Sequence, residues 1–260
     1  MWSGYRTALV TGASSGLGRG LAAWFAVRGV RVYAVARRLE HLQTLRDEVA
    51  ARGGVVEPVP LDVSNAGATH ERLQALERDS GGLDLVIANA GVSEPTPARK
   101  LSWPAVERIL QVNVLGAAAT LSAVLPSMVQ RNRGHLVGVS SLAAFRGMPS
   151  WAAYSASKAF LTTFLQGLRT DLVGTGLAVT TIHPGYVRTE MTADYGNLPM
   201  VMDPQDACER MAQAIVRREP EFSFPLPAAL MGRYLAMMPD SWLGWAMNTG
   251  WGPGGSSEDP

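Results

Sequence analysis

The sequence predicts an α/β fold, a parallel sheet covered by helices on both faces. Three observations carry this. Short apolar, β-rich runs alternate with helical patterns from Thr7 to Thr189, the signature of strands joined by crossover helices. Residues with chemical potential cluster just after those runs, at the carboxyl ends of strands, where such sheets place ligands. No internal repeat and no linker divides the region.

Composition sets the bounds. A chain of 260 residues fits one large α/β domain or two small ones. It is 47% hydrophobic and 17% charged, enough apolar material for a substantial core. A net charge of +1 gives no sign of a nucleic-acid partner or an acidic tail. The single cysteine, Cys208, excludes an internal disulfide and a cysteine-cluster zinc site. His41, His70, His135 and His183 show no ligand spacing, so packing or surface roles and no metal are expected. The N-terminus lacks a signal-peptide pattern, and no uninterrupted apolar run reaches the roughly 18 residues that suggest a membrane span. A reducing, cytoplasmic location and no integral membrane span are the expectations.

In chain order, Thr7–Thr11 reads as a strand. It leads into Gly12-Ala-Ser-Ser-Gly16-Leu-Gly18 and a helix over Leu21–Arg28 closed by Gly29. Strand, glycine turn and helix form the context that phosphate binding requires. Gly12 allows a tight turn, and Gly16 and Gly18 are expected to let a cofactor approach the backbone closely. The helix start around Leu17 offers free N–H groups and a positive dipole end, and Ser14 and Ser15 add hydroxyls. The alternative is an ordinary connecting turn.

Val30–Ala36 is the second strand, followed at once by Arg37 and Arg38. In a dinucleotide-binding fold this strand end meets the adenosine ribose, where an acidic residue favours a 2′-hydroxyl and repels a 2′-phosphate. Here there is no acid until Glu40, and the two arginines suit a phosphate. That favours NADP over NAD; a solvated helix start is the alternative for either arginine. Leu39–Ala51 is an amphipathic helix and Val55–Leu61 a third strand, ending in Asp62-Val63. Asp62 suits either an adenine amino group or the cap of the next helix, a role open also to Ser64 and Asn65.

Leu83–Ala88 is a fourth strand, followed by Asn89-Ala90-Gly91, small enough for a ring or ribose to lie alongside. Asn89 serves equally well as a tie between strands. Ser102, with Pro104 close behind, starts a helix that contains Asn113, a poor helix former that needs a reason to be there. A buried amide reaching a carbonyl or water is one reason; a tolerated polar residue is the other. Gly134–Val139 is the fifth strand, ending in Ser140-Ser141, and Leu177–Ile182 the sixth, broken by His183-Pro184-Gly185.

Between these two strands a helix from Trp151 to Leu172 carries Tyr154 and Lys158. A four-residue spacing puts both on one helical face. An ammonium roughly 6 Å from a phenol stabilises the phenolate by about 3 kcal/mol at an effective dielectric near 20. That is about two pKa units, which moves a tyrosine toward proton exchange near neutrality. By spacing alone, an ordinary surface pair is the competing reading.

Taken together, Thr11-Gly-Ala-Ser-Ser-Gly-Leu-Gly18, Asn89-Ala-Gly91, Asn113, Ser141, Tyr154-x-x-x-Lys158 and Pro184-Gly185 resemble the short-chain dehydrogenase/reductase family, over Thr7 to Thr189. The resemblance implies a doubly wound Rossmann-type fold with a seven-stranded parallel sheet, assembled as a homodimer or homotetramer. It implies a catalytic set of Asn113, Ser141, Tyr154 and Lys158. Ser141 rather than Ser140 matches, because the family serine lies thirteen positions before the tyrosine. Cofactor contacts are implied at Gly12, Ser14 to Gly18, Arg37, Arg38, Asp62, Val63, Asn89 to Gly91, Tyr154, Lys158, Pro184, Gly185, Val187 and Thr189. Ala88 stands where the family often has a first Asn, and Ser15 where many NADP members carry a basic residue.

Past Thr189 the resemblance fades. Met191–Met202 has the composition of a lid, Asp203 caps a helix to Arg218 with Pro204 first, and Glu221–Phe224 suits a last strand. Residues 1–225 are expected to form the catalytic domain, 226–251 an apolar helical extension, and 252–260 a disordered tail. Leu230, Tyr234, Met238 and Trp242 share a helical face, expected to pack on the core or a second subunit; a pocket wall and a membrane contact are the alternatives. With Phe145, Met148 and Tyr186, this segment suits an apolar carbonyl substrate. The expected activity is NADPH-dependent reduction of an apolar ketone or aldehyde. NAD-dependent alcohol oxidation or a non-catalytic nucleotide-sensing module are the alternatives. A serine hydrolase is disfavoured, since Gly138-Val-Ser140-Ser141-Leu lacks the closing glycine of a nucleophile elbow.

Overall fold

The computed structural model describes residues 4–193, 196 and 198–241. Seven strands form one sheet: β1 (Thr7–Thr11), β2 (Arg31–Ala36), β3 (Val55–Pro60), β4 (Leu85–Ala88), β5 (Gly134–Val139), β6 (Leu177–Pro184) and β7 (Glu221–Phe224). Their order is β3-β2-β1-β4-β5-β6-β7, and every pairing is parallel. The chain therefore runs outward from β1 to β3, returns, and continues from β4 on the other side. The switch point lies between the carboxyl ends of β1 and β4, where a doubly wound sheet opens a crevice.

Both faces are covered. In β1, Ala8 and Val10 point into one apolar layer and Leu9 into the other, the two-residue alternation of a strand. The first layer meets α1 (Gly16–Ala26), α2 (Leu39–Ala50) and α7 (Pro204–Val216) through Leu21, Phe25, Leu42, Leu45, Met211 and Ile215. The second meets α3 (Ala66–Asp79), α5 (Ala117–Gln130) and α6 (Ala152–Asp171) through Leu73, Leu121, Val124, Leu161 and Leu165. The edge strand β3 carries Pro58 and Pro60; a proline is tolerated on an edge because one side of the ladder has no partner to lose.

Several boundaries differ from those expected. Helix α1 starts at Gly16, not Leu21, so the glycine turn itself becomes its first turn. Strand β6 runs through His183 and Pro184, since both pair with β7 and Gly185 N–H then donates to Phe224 O at 2.7 Å. Asn65, not Asp62, caps α3, accepting from Ala68 N–H at 3.1 Å. Asp203 caps α7 as expected, accepting from Gln205 N–H.

The helix that begins at α4 (Trp103–Leu110) passes through a wide π turn over Gln111–Gly116 and continues as α5. Ser102 stands at its N-cap position without a side-chain cap bond. Trp103–Gln130 is long and apolar enough to cross a membrane, but 56% of its most apolar window is buried within the fold. A core helix has the same composition as a membrane span, and here it lies against the sheet.

The last described helix, α8 (Leu226–Met237), presents Ala228, Ala229, Gly232 and Leu235 to the body of the protein. Leu230 and Tyr234 of the expected stripe are 59% and 63% exposed, so they do not pack on this chain's own core; of the two packing partners expected, that leaves the face to a second subunit. Small residues face inward because α8 lies directly on Phe145, whose ring would stand 3.2 Å from a Cβ at position 232. Trp242 and the 252–260 tail fall outside the described residues.

Candidate active site

A cleft of about 1030 Å³ runs along the carboxyl edge of the sheet, from the ends of β2 and β3 to α8. All of the expected catalytic and cofactor positions except Asn113 line it; Asn113 lies directly behind the wall.

The glycine turn adopts left-handed backbone at Gly12 (φ +69°) and Gly16 (φ +53°), which only glycine accepts without strain. Gly18 is required for a reason beyond the expected one. A Cβ there would overlap the Gly12 carbonyl oxygen and Asn89 Nδ2. The third glycine thus also lets the turn close on itself and on the end of β4, while its backbone lines the cleft. Gly16 is approached by the Thr189 methyl, 3.3 Å from its Cβ position.

The residue that ties this corner together is Thr11, at the end of β1. Its hydroxyl accepts from both Asn89 N–H (3.0 Å) and Ala90 N–H (3.1 Å), while Asn89 Nδ2 donates to Thr11 O at 2.9 Å. Of the two readings left open for Asn89, the tie between strands is made, with its flank on the cleft. At α1, Ser15 makes no side-chain cap bond and the first turn holds no acidic residue. The opening N–H groups of this 11-residue helix therefore meet the cleft without a side-chain cap, a donor set that suits a pyrophosphate. Arg37 and Arg38 stand at the β2 end of the same groove. Arg38 donates to Ser14 Oγ (3.2 Å) and Glu190 (3.1 Å), and Arg37 lies 4.0 Å from Asp62.

At the other end, Tyr154 and Lys158 share a face of α6, with Lys158 Nζ 5.8 Å from the centre of the Tyr154 ring. Lys158 is 5% exposed and donates to Val139 O at 2.9 Å. Burial lowers its pKa to about 8, so the ammonium is still the main form at neutral pH. Gly91 completes the contact: a Cβ there would lie 3.3 Å from Lys158 Nζ and 3.4 Å from Asn113 Oδ1.

Asn113 is 1% exposed, and both ends of its amide are paired. Its Oδ1 accepts from Val92 N–H at 2.8 Å, and its Nδ2 donates to Val92 O (2.9 Å) and Ser157 Oγ (3.0 Å). Ser157 in turn donates to Tyr154 O at 2.7 Å. A buried amide reaching the backbone is thus why Asn113 sits in a helix. Ser157, absent from the expected set, links it to the catalytic helix.

Both serines of the pair border the cleft, but they differ in burial and partners. Ser140 is buried and donates to Lys158 O at 2.9 Å, with Thr162 Oγ1 at 2.8 Å. Ser141 lines the cleft and accepts from Ala143 N–H at 3.1 Å. Beneath them His183 stands between Thr162 and Ser223, and burial lowers its pKa to about 4, so it is neutral and structural. Among the described residues no group of three His, Cys, Asp or Glu gathers in metal-binding geometry.

The wall beyond Tyr154 is formed by Met148, Trp151, Tyr186, Met191, Met200, Met231 and Leu235. Phe145, expected among them, instead supports α8 from below and packs on His183 at 5.0 Å. Arg146 anchors the end of α8, donating to Leu235 O and Met238 O.

A helix-borne Tyr–Lys pair and a glycine turn on one cleft of a doubly wound sheet is an arrangement with relatives. The sequence pattern of the short chain dehydrogenases matches residues 6–197. The chain belongs to the short-chain dehydrogenase family. It is 60% identical over 238 residues to an uncharacterized oxidoreductase of Myxococcus xanthus (strain DK1622), covering 91% of this chain and 94% of that one. A short-chain dehydrogenase from Sphingobium yanoikuyae, solved in complex with NADPH, superposes with a TM-score of 0.79 at 29% identity, over 93% of this chain and 95% of that one. A closed form of serine dehydrogenase complexed with NADP+ gives 0.75 at 32% identity, over 85% and 95%. The cleft is thus that of a short-chain oxidoreductase on a Rossmann-type fold.

Proposed function

We propose that this short-chain dehydrogenase reduces the carbonyl of an apolar ketone or aldehyde at the expense of NADPH, the reverse reaction being alcohol oxidation. The observation that carries this is Lys158: a buried ammonium 5.8 Å from the Tyr154 ring, on the same cleft as the glycine turn. At an effective dielectric near 20, an ammonium roughly 6 Å from a phenolate oxygen favours the phenolate by about 3 kcal/mol. A pure nucleotide binder has no use for a phenol poised in this way.

The cleft suits the cofactor. The α1 N–H groups would take the pyrophosphate, Arg37 and Arg38 the adenosine phosphate, and Lys158 the hydroxyls of the nicotinamide ribose. Pro184, Gly185 and Val187 would flank the nicotinamide, with Thr189 at its amide or at the pyrophosphate. Asp62 and Val63 would border the adenine. When bound, NADPH supplies the hydride. Tyr154 gives its hydroxyl proton to the developing alkoxide, or takes it back in oxidation. Ser141 donates a hydrogen bond to the same oxygen and fixes its position. Asn113 holds the backbone at Val92 and, with Ser157, the start of α6, and so keeps Lys158 and Tyr154 in register.

The substrate class follows from the wall. Among the described residues, the charged groups lining the cleft are Arg37, Arg38, Asp62, Glu190 and Lys158. The first four stand at the adenosine end, and Lys158 is buried with its ammonium donating to Val139 O, so the methionine-rich wall itself carries no charged partner for a substrate. The test is NADPH oxidation measured against a panel of apolar ketones, aldehydes and quinones. Tyr154→Phe is expected to lower turnover about 10²- to 10⁴-fold while NADPH affinity stays within a few-fold. An active Phe variant refutes the assignment. NADPH binding without turnover of any carbonyl favours the sensing module instead.

A further inference from the structure

By sequence, no acid stands at the ribose end of β2 before Glu40. In space one does. Glu190 follows β6, which β5, β4 and β1 separate from β2 in the sheet. The chain after β6 crosses the carboxyl edge, seats the Thr189 methyl against Gly16, and delivers the Glu190 carboxylate to Arg38 at 3.1 Å. There the Ser15 side chain also favours its anionic form. The Arg38 hydrogen bond holds the carboxyl below the usual range, with Ser15 and His41 adding to it, so the group is an anion at neutral pH.

We propose that Glu190 sets the preference between 2′-phosphorylated and unphosphorylated nicotinamide nucleotides, by competing with the ribose phosphate for Arg38. The inference rests on the reading of Arg37 and Arg38 as the phosphate site. One Arg38 nitrogen, Nη2, serves both Ser14 Oγ and Glu190 Oε2. A phosphate arriving at that nitrogen meets an acceptor already in place and a like charge beside it. A 2′-hydroxyl meets neither difficulty, since it can donate to the same carboxylate. Glu190 thus acts as an acidic residue at the end of β2 would, though it arrives from the far side of the groove. Both side chains are partly exposed, at 40% for Arg38 and 61% for Glu190, so the effect is one of selectivity and is screened by salt.

The probes are 2′,5′-ADP and 5′-AMP, which differ at the 2′ position and carry no nicotinamide. Their dissociation constants are to be measured calorimetrically for the wild type, Glu190→Gln and Arg38→Ala at low ionic strength. Glu190→Gln is expected to raise the preference for 2′,5′-ADP over 5′-AMP about two- to fivefold, and added salt to shrink that gain. A preference that stays the same or falls in Glu190→Gln overturns the inference. The Arg38 reading is judged separately: it fails if the wild type shows no preference and Arg38→Ala changes nothing. The Glu190→Gln ratio decides the role of Glu190 in either case.

Discussion

Replacing Lys158 with Met separates what the site requires from what the fold prefers. The lysine is 5% exposed, and burial lowers its pKa from 10.5 to about 8. That shift corresponds to about 3 kcal/mol of stability withheld at pH 7. Met fills similar volume without charge but leaves the Val139 carbonyl unpaired, which costs about 1–3 kcal/mol. The two nearly cancel at pH 7, so the variant is expected to be as stable as the wild type, or slightly more stable, while inactive. The sharper signature lies in pH. Between pH 8 and 10.5 the unfolded lysine holds a proton that the folded one has released, so wild-type stability rises with pH through this window. From pH 7 to 9.5 the gain is about 2 kcal/mol with these two pKa values. Met has no such gain, and the neutral buried histidines contribute equally to both proteins. Urea melts of both proteins at the two pH values measure the difference. Parallel stability changes would refute the claim that a desolvated ammonium sits at this position.

Three further outcomes are expected. Asn113→Leu strands the Val92 N–H and carbonyl and should cost about 2–4 kcal/mol in a urea melt. Gly18→Ala drives a methyl into the Gly12 carbonyl and Asn89, so the turn must open: a loss of about 1–3 kcal/mol accompanied by weaker nucleotide binding in calorimetry. Cys208, whose thiol burial pushes up to about 12, should resist a disulfide reagent at pH 8 in the native protein and react once unfolded in urea.

What was legible in the sequence is what short spacing encodes. The glycine turn, the Tyr154–Lys158 step and the alternation of strands and helices each declare themselves within a dozen residues. What escaped depends on chain crossings. Glu190 meets Arg38 across 152 positions, and Ser157 meets Asn113 across 44; no local pattern marks either pair. The packing of Gly18 on Gly12 and Asn89 is hidden in the same way, because sequence shows that a side chain is missing but not what fills the space. That Leu230 and Tyr234 do not meet this chain's own core was hidden for a related reason. Periodicity finds an apolar stripe on α8, but the close approach to Phe145 selects the opposite, small-residue face.

The π turn at Gln111–Gly116 shows how local irregularity and site geometry are connected. From Trp103 to Gln130 the chain is one continuous helix of 28 residues, widened only here. Such widenings recur at functional positions because they rotate one side chain out of the regular register. Asn113 is the polar residue within this turn that is fully buried, and it reaches Val92 and Ser157 together. Gly116 closes the turn where a Cβ would press into the Val63 carbonyl at 2.6 Å, so the wide turn is seated against the end of the β3 loop as well. The segment is thus fixed from two sides, by Val63 and by Val92, both of which line the cleft. Straightening it would turn Asn113 away from Val92, release Gly91 from Lys158, and loosen the catalytic pair without touching either of its members.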